Sequence, residues 1–92
     1  MQKKSAQNRI LDTDSVLSFI DDAVEISYDR HADAAYFSLS AIRKGVVART
    51  VKLQEWLLAD LDTSGSLLGV EMLFVSAHLS QARVRELQAV AL

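Results

Sequence analysis

Apolar and polar residues alternate along the middle of the chain. Val24, Ile26 and Tyr28 are separated by Glu25 and Ser27, a period of two that predicts a half-buried strand. After the polar segment Asp29–Asp33, the run AAYFSLS from Ala34 to Ser40 carries Tyr36, Phe37 and Leu39 and predicts a second strand. Val47, Val51 and Leu53 alternate with Ala48, Thr50 and Lys52 and predict a third, with Arg49 on its apolar side. Trp56–Leu61 and Leu67–Val75 are the fourth and fifth, joined by Asp62-Thr63-Ser64-Gly65. An Asp opening that turn and a Gly three residues later predict a three-residue hairpin loop in which Gly65 takes φ > 0.

At either end the period lengthens. Asp12 to Ser15 supply N-cap candidates ahead of Val16, Leu17, Phe19 and Ile20, which cover one side of a short helix ending near Asp21 and Asp22. From Ser76, with Ser76 or Ser80 as cap, Ala77, Val84, Leu87 and Ala91 form the stripe of a C-terminal helix, while Leu79 and Val90 fall off it. No helix-length segment separates the strands. The expected fold is therefore α+β: an antiparallel β-meander of about five strands, a C-terminal helix packed on one face, and a short N-terminal helix.

Turn chemistry and burial disagree about the register of the central hairpin. The loop sets Asp60 opposite Leu68, Leu58 opposite Val70 and Trp56 opposite Met72, which leaves both faces apolar with one carboxylate on each. A slip of one residue gathers Leu57, Ala59, Leu61, Leu68, Val70 and Met72 on one face and moves Asp60 and Glu71 to the other. The turn residues favour the first arrangement, and that register is the expectation. It leaves one apolar face uncovered, and an uncovered apolar face predicts self-association as a two-fold dimer. Trp56, Leu58, Leu68, Val70 and Met72 would line the patch, with Leu79 and Val90 at its rim.

Composition narrows the function. Ninety-two residues, 50% of them hydrophobic, suit one domain spanning 1–92, with the polar, basic residues 1–11 frayed. A net charge of −2 with both signs dispersed offers no field for nucleic acid. Arg43, Lys44, Arg49 and Lys52 form the one basic cluster, and strand alternation splits it over two faces. Without cysteine there is no disulfide, thiolate metal site or thiol nucleophile. No apolar run follows the N-terminal lysines as in a secretory signal, and none is long enough to span a membrane. The expectation is a cytoplasmic protein without direct nucleic-acid or membrane contact.

Between about Glu25 and Ser76 the order of residues resembles domain-of-unknown-function family 2283, a group of small, mostly bacterial domains. The resemblance is carried by Ile26, Tyr28, Asp29, Ala32, Asp33, Ala34, Tyr36 and Leu39. It continues through Thr50, Asp60, Asp62, Gly65, Gly69, Glu71, Leu73 and Ser76. It implies a compact sheet with a helix and no established activity. The N-terminal extension to Asp22, the Trp56-Leu57-Leu58 run and the C-terminal helix depart from the family pattern.

The candidate polar positions are Asp29, Asp33, Asp60 and Glu71. Asp29 and Asp33 bracket a turn and Asp62 opens another, roles in which Asp bonds nearby N–H groups. Asp60 and Glu71 interrupt apolar strands and call for partners, with Arg49 or Lys52 on the preceding strand available. Asp29-x-His31-x-Asp33 has alternate spacing but lies in a turn, so no metal is expected there. His78 near Ser76 and Ser80 lacks the surroundings of a hydrolase triad. No catalytic residue, metal ligand or cofactor is assigned. The resulting expectation is a non-catalytic protein-interaction module that self-associates. The alternatives are a regulatory, antitoxin-like partner of another protein, and a small ligand-binding or enzymatic domain using Asp60 and Glu71. Gly69, inside a strand pattern, predicts a bulge or a large side chain lying across it.

Overall fold

The computed structural model describes residues 12–39 and 46–90, without the side chain of Val90. The 1–11 segment expected to fray, Arg43, Lys44, Gly45 and the expected places of Val90 and Ala91 on the helix surface lie outside the described residues.

Helix α1 (Thr13–Phe19) is capped by Asp12, whose carboxylate accepts the Ser15 N–H at 3.0 Å. A 3₁₀ turn, Ile20–Asp22, ends it where acidic residues oppose the helix dipole. Five strands follow: β1 (Glu25–Asp29), β2 (Ala34–Ser38), β3 (Arg49–Gln54), β4 (Leu57–Leu61) and β5 (Leu67–Leu73). Phe74 turns the chain through φ 53, and two helices complete it, α2 (Val75–His78) and α3 (Gln81–Val90). The single C-terminal helix expected from Ser76 is thus broken. Leu79 is extended, and the Ser80 hydroxyl starts α3 by accepting the Arg83 N–H at 3.2 Å. Both serines were possible caps, and the second takes the role.

The α+β class, the five antiparallel strands and both helical ends stand as expected. The order in the sheet, β1-β2-β5-β4-β3, is not that of a simple meander. Residues 39–48 separate β2 from β3 in the sequence, and in the sheet β5 and β4 stand between those two strands. Three inter-strand spacings amount to about 14 Å, well within reach of such a segment. Because β2 and β3 run in opposite directions, no helical crossover is needed.

The hairpin satisfies both of its competing demands. Gly65 has φ +87, its N–H donates to the Asp62 carbonyl at 3.0 Å, and Leu61 pairs with Leu67, all as the turn requires. One residue further on the register shifts: Asp60 pairs with Gly69, Ala59 with Val70 and Leu57 with Met72. The pairings expected from the turn alone, Asp60 with Leu68, Leu58 with Val70 and Trp56 with Met72, are therefore corrected by a β-bulge at Leu68. A bulge adds one residue to one strand and so inverts the alternation beyond it. It places Leu68, Val70 and Met72 with Leu57, Ala59 and Leu61, all buried, and sends Asp60 and Glu71 to the opposite face.

Val16, Ile20, Val75 and Leu87 from the helices pack with Ala35, Phe37, Leu57, Val70 and Met72 in one buried cluster. Arg83 on α3 joins Asp21 at 2.9 Å and ties the two ends of the chain together over that cluster. The helices thus cover one face of the sheet. Full burial of Phe37, Leu57, Val70 and Met72 stabilises the fold by about 1.5–3 kcal/mol per side chain.

Candidate functional site

The other face of the sheet carries no helix among the described residues. Register places Ser27, Tyr36, Glu71, Leu58 and Lys52 in one row across it. A neighbouring row holds Glu25, Ser38, Gly69, Asp60 and Thr50. Ala34 and Leu73 pair at the end near Asp29. Leu58, Leu73, Tyr36, Asp60 and Glu71 are all half-buried.

Tyr36 organises this face. A Cβ on Gly69 would lie 2.6 Å from the Tyr36 ring carbon Cζ, so the glycine leaves the space that the ring occupies. This is the close approach expected of Gly69. The Tyr36 hydroxyl donates to Asp60 Oδ2 at 2.7 Å, and the Thr50 hydroxyl donates to Asp60 Oδ1 at 2.5 Å. Burial first, then the hydrogen bond to Asp60 and the charges of Asp60 and Glu71, push the Tyr36 hydroxyl above its ordinary range. It remains a protonated donor at any physiological pH. The partners expected for Asp60 and Glu71, Arg49 or Lys52, do not serve. Lys52 pairs with Glu55 at 3.0 Å, and Arg49 lies opposite Leu61, on the helix-covered side of β3. Hydroxyls hold Asp60 in their stead. Glu71 has neither hydrogen bond nor ion pair among the described residues.

Asp29 and Asp33 do different work. Asp29 accepts the N–H groups of His31 and Ala32 at 3.0 and 3.2 Å, an Asx-type turn. Asp33, at φ 54, precedes Ala34, whose pairing with Leu73 sets it beside the first turn of α2. Its carboxylate accepts the Ser76 hydroxyl at 2.6 Å, the Ser76 N–H at 3.2 Å and the Tyr28 hydroxyl at 3.2 Å. It satisfies an orphan donor in the first turn of α2 from another part of the chain. Nothing in the local sequence announces this contact, although Asp33 and Ser76 both belong to the pattern of the family resemblance. His31 is exposed on the turn and joins neither carboxylate in a ligand set. Among the described residues no three His, Cys, Asp or Glu side chains are grouped to hold a metal ion. His78 stacks on Trp56 with ring centroids 3.7 Å apart, so its ring is engaged with an aromatic neighbour.

The Ser76 hydroxyl, above all, holds Asp33 below the ordinary carboxylate range, helped by the Ser76 N–H and Tyr28 and opposed by burial. A carboxylate depressed in the fold stabilises it above the unfolded pKa of about 3.9, and that stabilisation is lost as pH falls through the folded value. Asp33→Asn should cost about 1 kcal/mol at neutral pH, because the hydrogen bonds from Ser76 and Tyr28 lose their charged acceptor. It should also flatten the loss of stability below about pH 4. Urea denaturation of both proteins at neutral and acid pH measures the two effects; parallel acid slopes would rule out the tie.

Of the residues expected to mediate self-association, Leu68 is 8% exposed and Val70 and Met72 are fully buried in the chain's own core. Leu79 packs against that core. Leu68, Val70 and Met72 are corrected, since their apolar surface is buried within one chain, whereas Leu79 stays partly exposed. Leu58 remains on the helix-free face, and Trp56 is half-buried in the turn between β3 and β4, against the core and His78. No helix of the described residues is long and apolar enough to cross a membrane.

No curated protein and no solved structure matches the chain. One family model does, over residues 25–76, a segment that runs from the first residue of β1 to Ser76, the partner of Asp33. The residues that build the helix-free face and the Asp33 tie all fall within it, and the chain belongs to the family described as Protein of unknown function (DUF2283).

Proposed function

We propose that this chain is a non-catalytic protein-interaction module that presents the helix-free face of its sheet to another protein. The observation that carries the reading is the pairing of half-buried apolar side chains, Leu58 and Leu73, with a carboxylate, Glu71, that has no partner among the described residues. Such a mixture of apolar, aromatic and polar groups on a rigid sheet suits a protein interface. The acids support binding over chemistry. Asp60 is occupied by two hydroxyls, Asp33 by Ser76 and Asp29 by its own turn, and a carboxylate already engaged by donors is a weaker general base than a free one. Glu71 shares an open concavity with Asp29, Tyr28 and Ala34. A two-fold dimer through this face would set the same acidic surface of two copies together, and like charges brought together at an interface cost several kcal/mol. A different chain fits better.

A photo-crosslinking residue at Leu58, compared with one at the exposed helix position Ala82, tests the reading in the cells that make the protein. Adducts from position 58 and none from 82 are expected. Equal adducts from both, or none from 58, would refute it, and an adduct of twice the chain's mass would identify a second copy.

A further inference from the structure

The helix-free face has a sign. The strands place four carboxylates on it, Glu25, Asp29, Asp60 and Glu71, and one cation, Lys52. That cation is already matched by Glu55. The whole chain carries a net charge of only −2, so the face is more acidic than the protein as a whole. The hydroxyls that hold Asp60 fix its position without cancelling its charge. Glu25 and Glu71 have no counter-ion among the described residues. Leu58 and Leu73 lie among these charges, so an occupant must bring apolar contact as well as positive charge.

We infer that the face docks a cationic segment of another protein, one carrying lysine or arginine among apolar residues. The inference rests on the docking reading above and adds the chemistry of the partner. Apolar side chains of the segment would cover Leu58 and Leu73, while its cations would meet Glu71 and Glu25, the carboxylates not already bonded within the fold. Complementary charge speeds encounter and excludes wrong partners, and apolar contact supplies the affinity.

The test uses three amphipathic peptides of one length, built from leucine with lysine, with glutamate or with glutamine. Each is titrated into the full chain while backbone amide NMR shifts are followed. The leucine–lysine peptide should shift amides of β4 and β5 around Leu58, Glu71 and Leu73. The glutamate peptide should not, and added salt should weaken the effect. The double variant Glu25→Lys/Glu71→Lys, which removes no hydrogen bond, should bind at least about tenfold more weakly. If that variant fails to fold, Glu71→Gln serves, with an expected weakening of about threefold. Equal binding of all three peptides on this face would overturn the cationic partner and leave the docking reading standing. Shifts confined to α1 and α3, or none at about 1 mM peptide, would overturn both.

Discussion

Gly69→Val is expected to destabilise the fold by about 3 kcal/mol, from overpacking and from the lost hydrogen bond to a charged group. The added Cβ would fall 2.6 Å from Tyr36 Cζ and 2.8 Å from its Cε2. The ring must leave the glycine, and its hydroxyl then leaves Asp60. In a domain of this size the loss should lower Tm by more than about 10 °C. Non-additivity identifies the cause. Tyr36→Ala alone removes the ring and its hydrogen bond, so the double variant should be much more stable than the sum of the two losses implies. Simple additivity in thermal unfolding would show that Gly69 serves some purpose other than making room for Tyr36.

Val70→Lys should unfold or nearly unfold the chain, at a cost of about 4 kcal/mol or more, because it places an unpaired ammonium in the core. Leu58→Lys should stay within about 1 kcal/mol of the parent, since the side chain is half-exposed and a lysine can reach water along its stem. The contrast is a direct reading of register. Had the turn alone set the pairing, these residues would lie opposite one another on one face and suffer alike. Denaturation curves for the two variants separate the cases, and similar losses would contradict the bulge at Leu68.

Legibility followed the range of the forces involved. An N-cap within Asp12–Ser15, the strand alternation around Ile26 and Tyr28, and the positive φ of Gly65 depend on a few neighbouring residues, and each was readable locally. The hairpin register was not, because two local rules conflicted. Asp62 and Gly65 dictated the pairing beside the loop, whereas the burial of Leu68, Val70 and Met72 dictated it further along. Only the insertion of one residue satisfies both, and Gly69, beside the bulge, signalled either a bulge or a close approach without telling one from the other. Strand order was hidden for a related reason: the segment 39–48 shows that β2 and β3 are separated, but not which edge of the sheet receives β3. The partners of Asp60 and Asp33 come from strands and helices remote in sequence. For Asp60 the mismatch of a carboxylate in an apolar run signalled that a partner was needed, without telling a hydroxyl from a cation.

The position of β5 has a consequence for how the chain is made. It leaves the ribosome after the other four strands and is the middle strand of the finished sheet, with β2 on one side and β4 on the other. Until it emerges, the β1–β2 and β3–β4 hairpins are separate pieces, each with an unpaired edge that β5 is meant to fill. A two-stranded hairpin is marginal on its own, and an open edge invites pairing with a neighbouring chain. A polypeptide ending at Leu61 would therefore retain four of the five strands and none of the joint between them, and its two waiting edges would be free to capture other nascent chains.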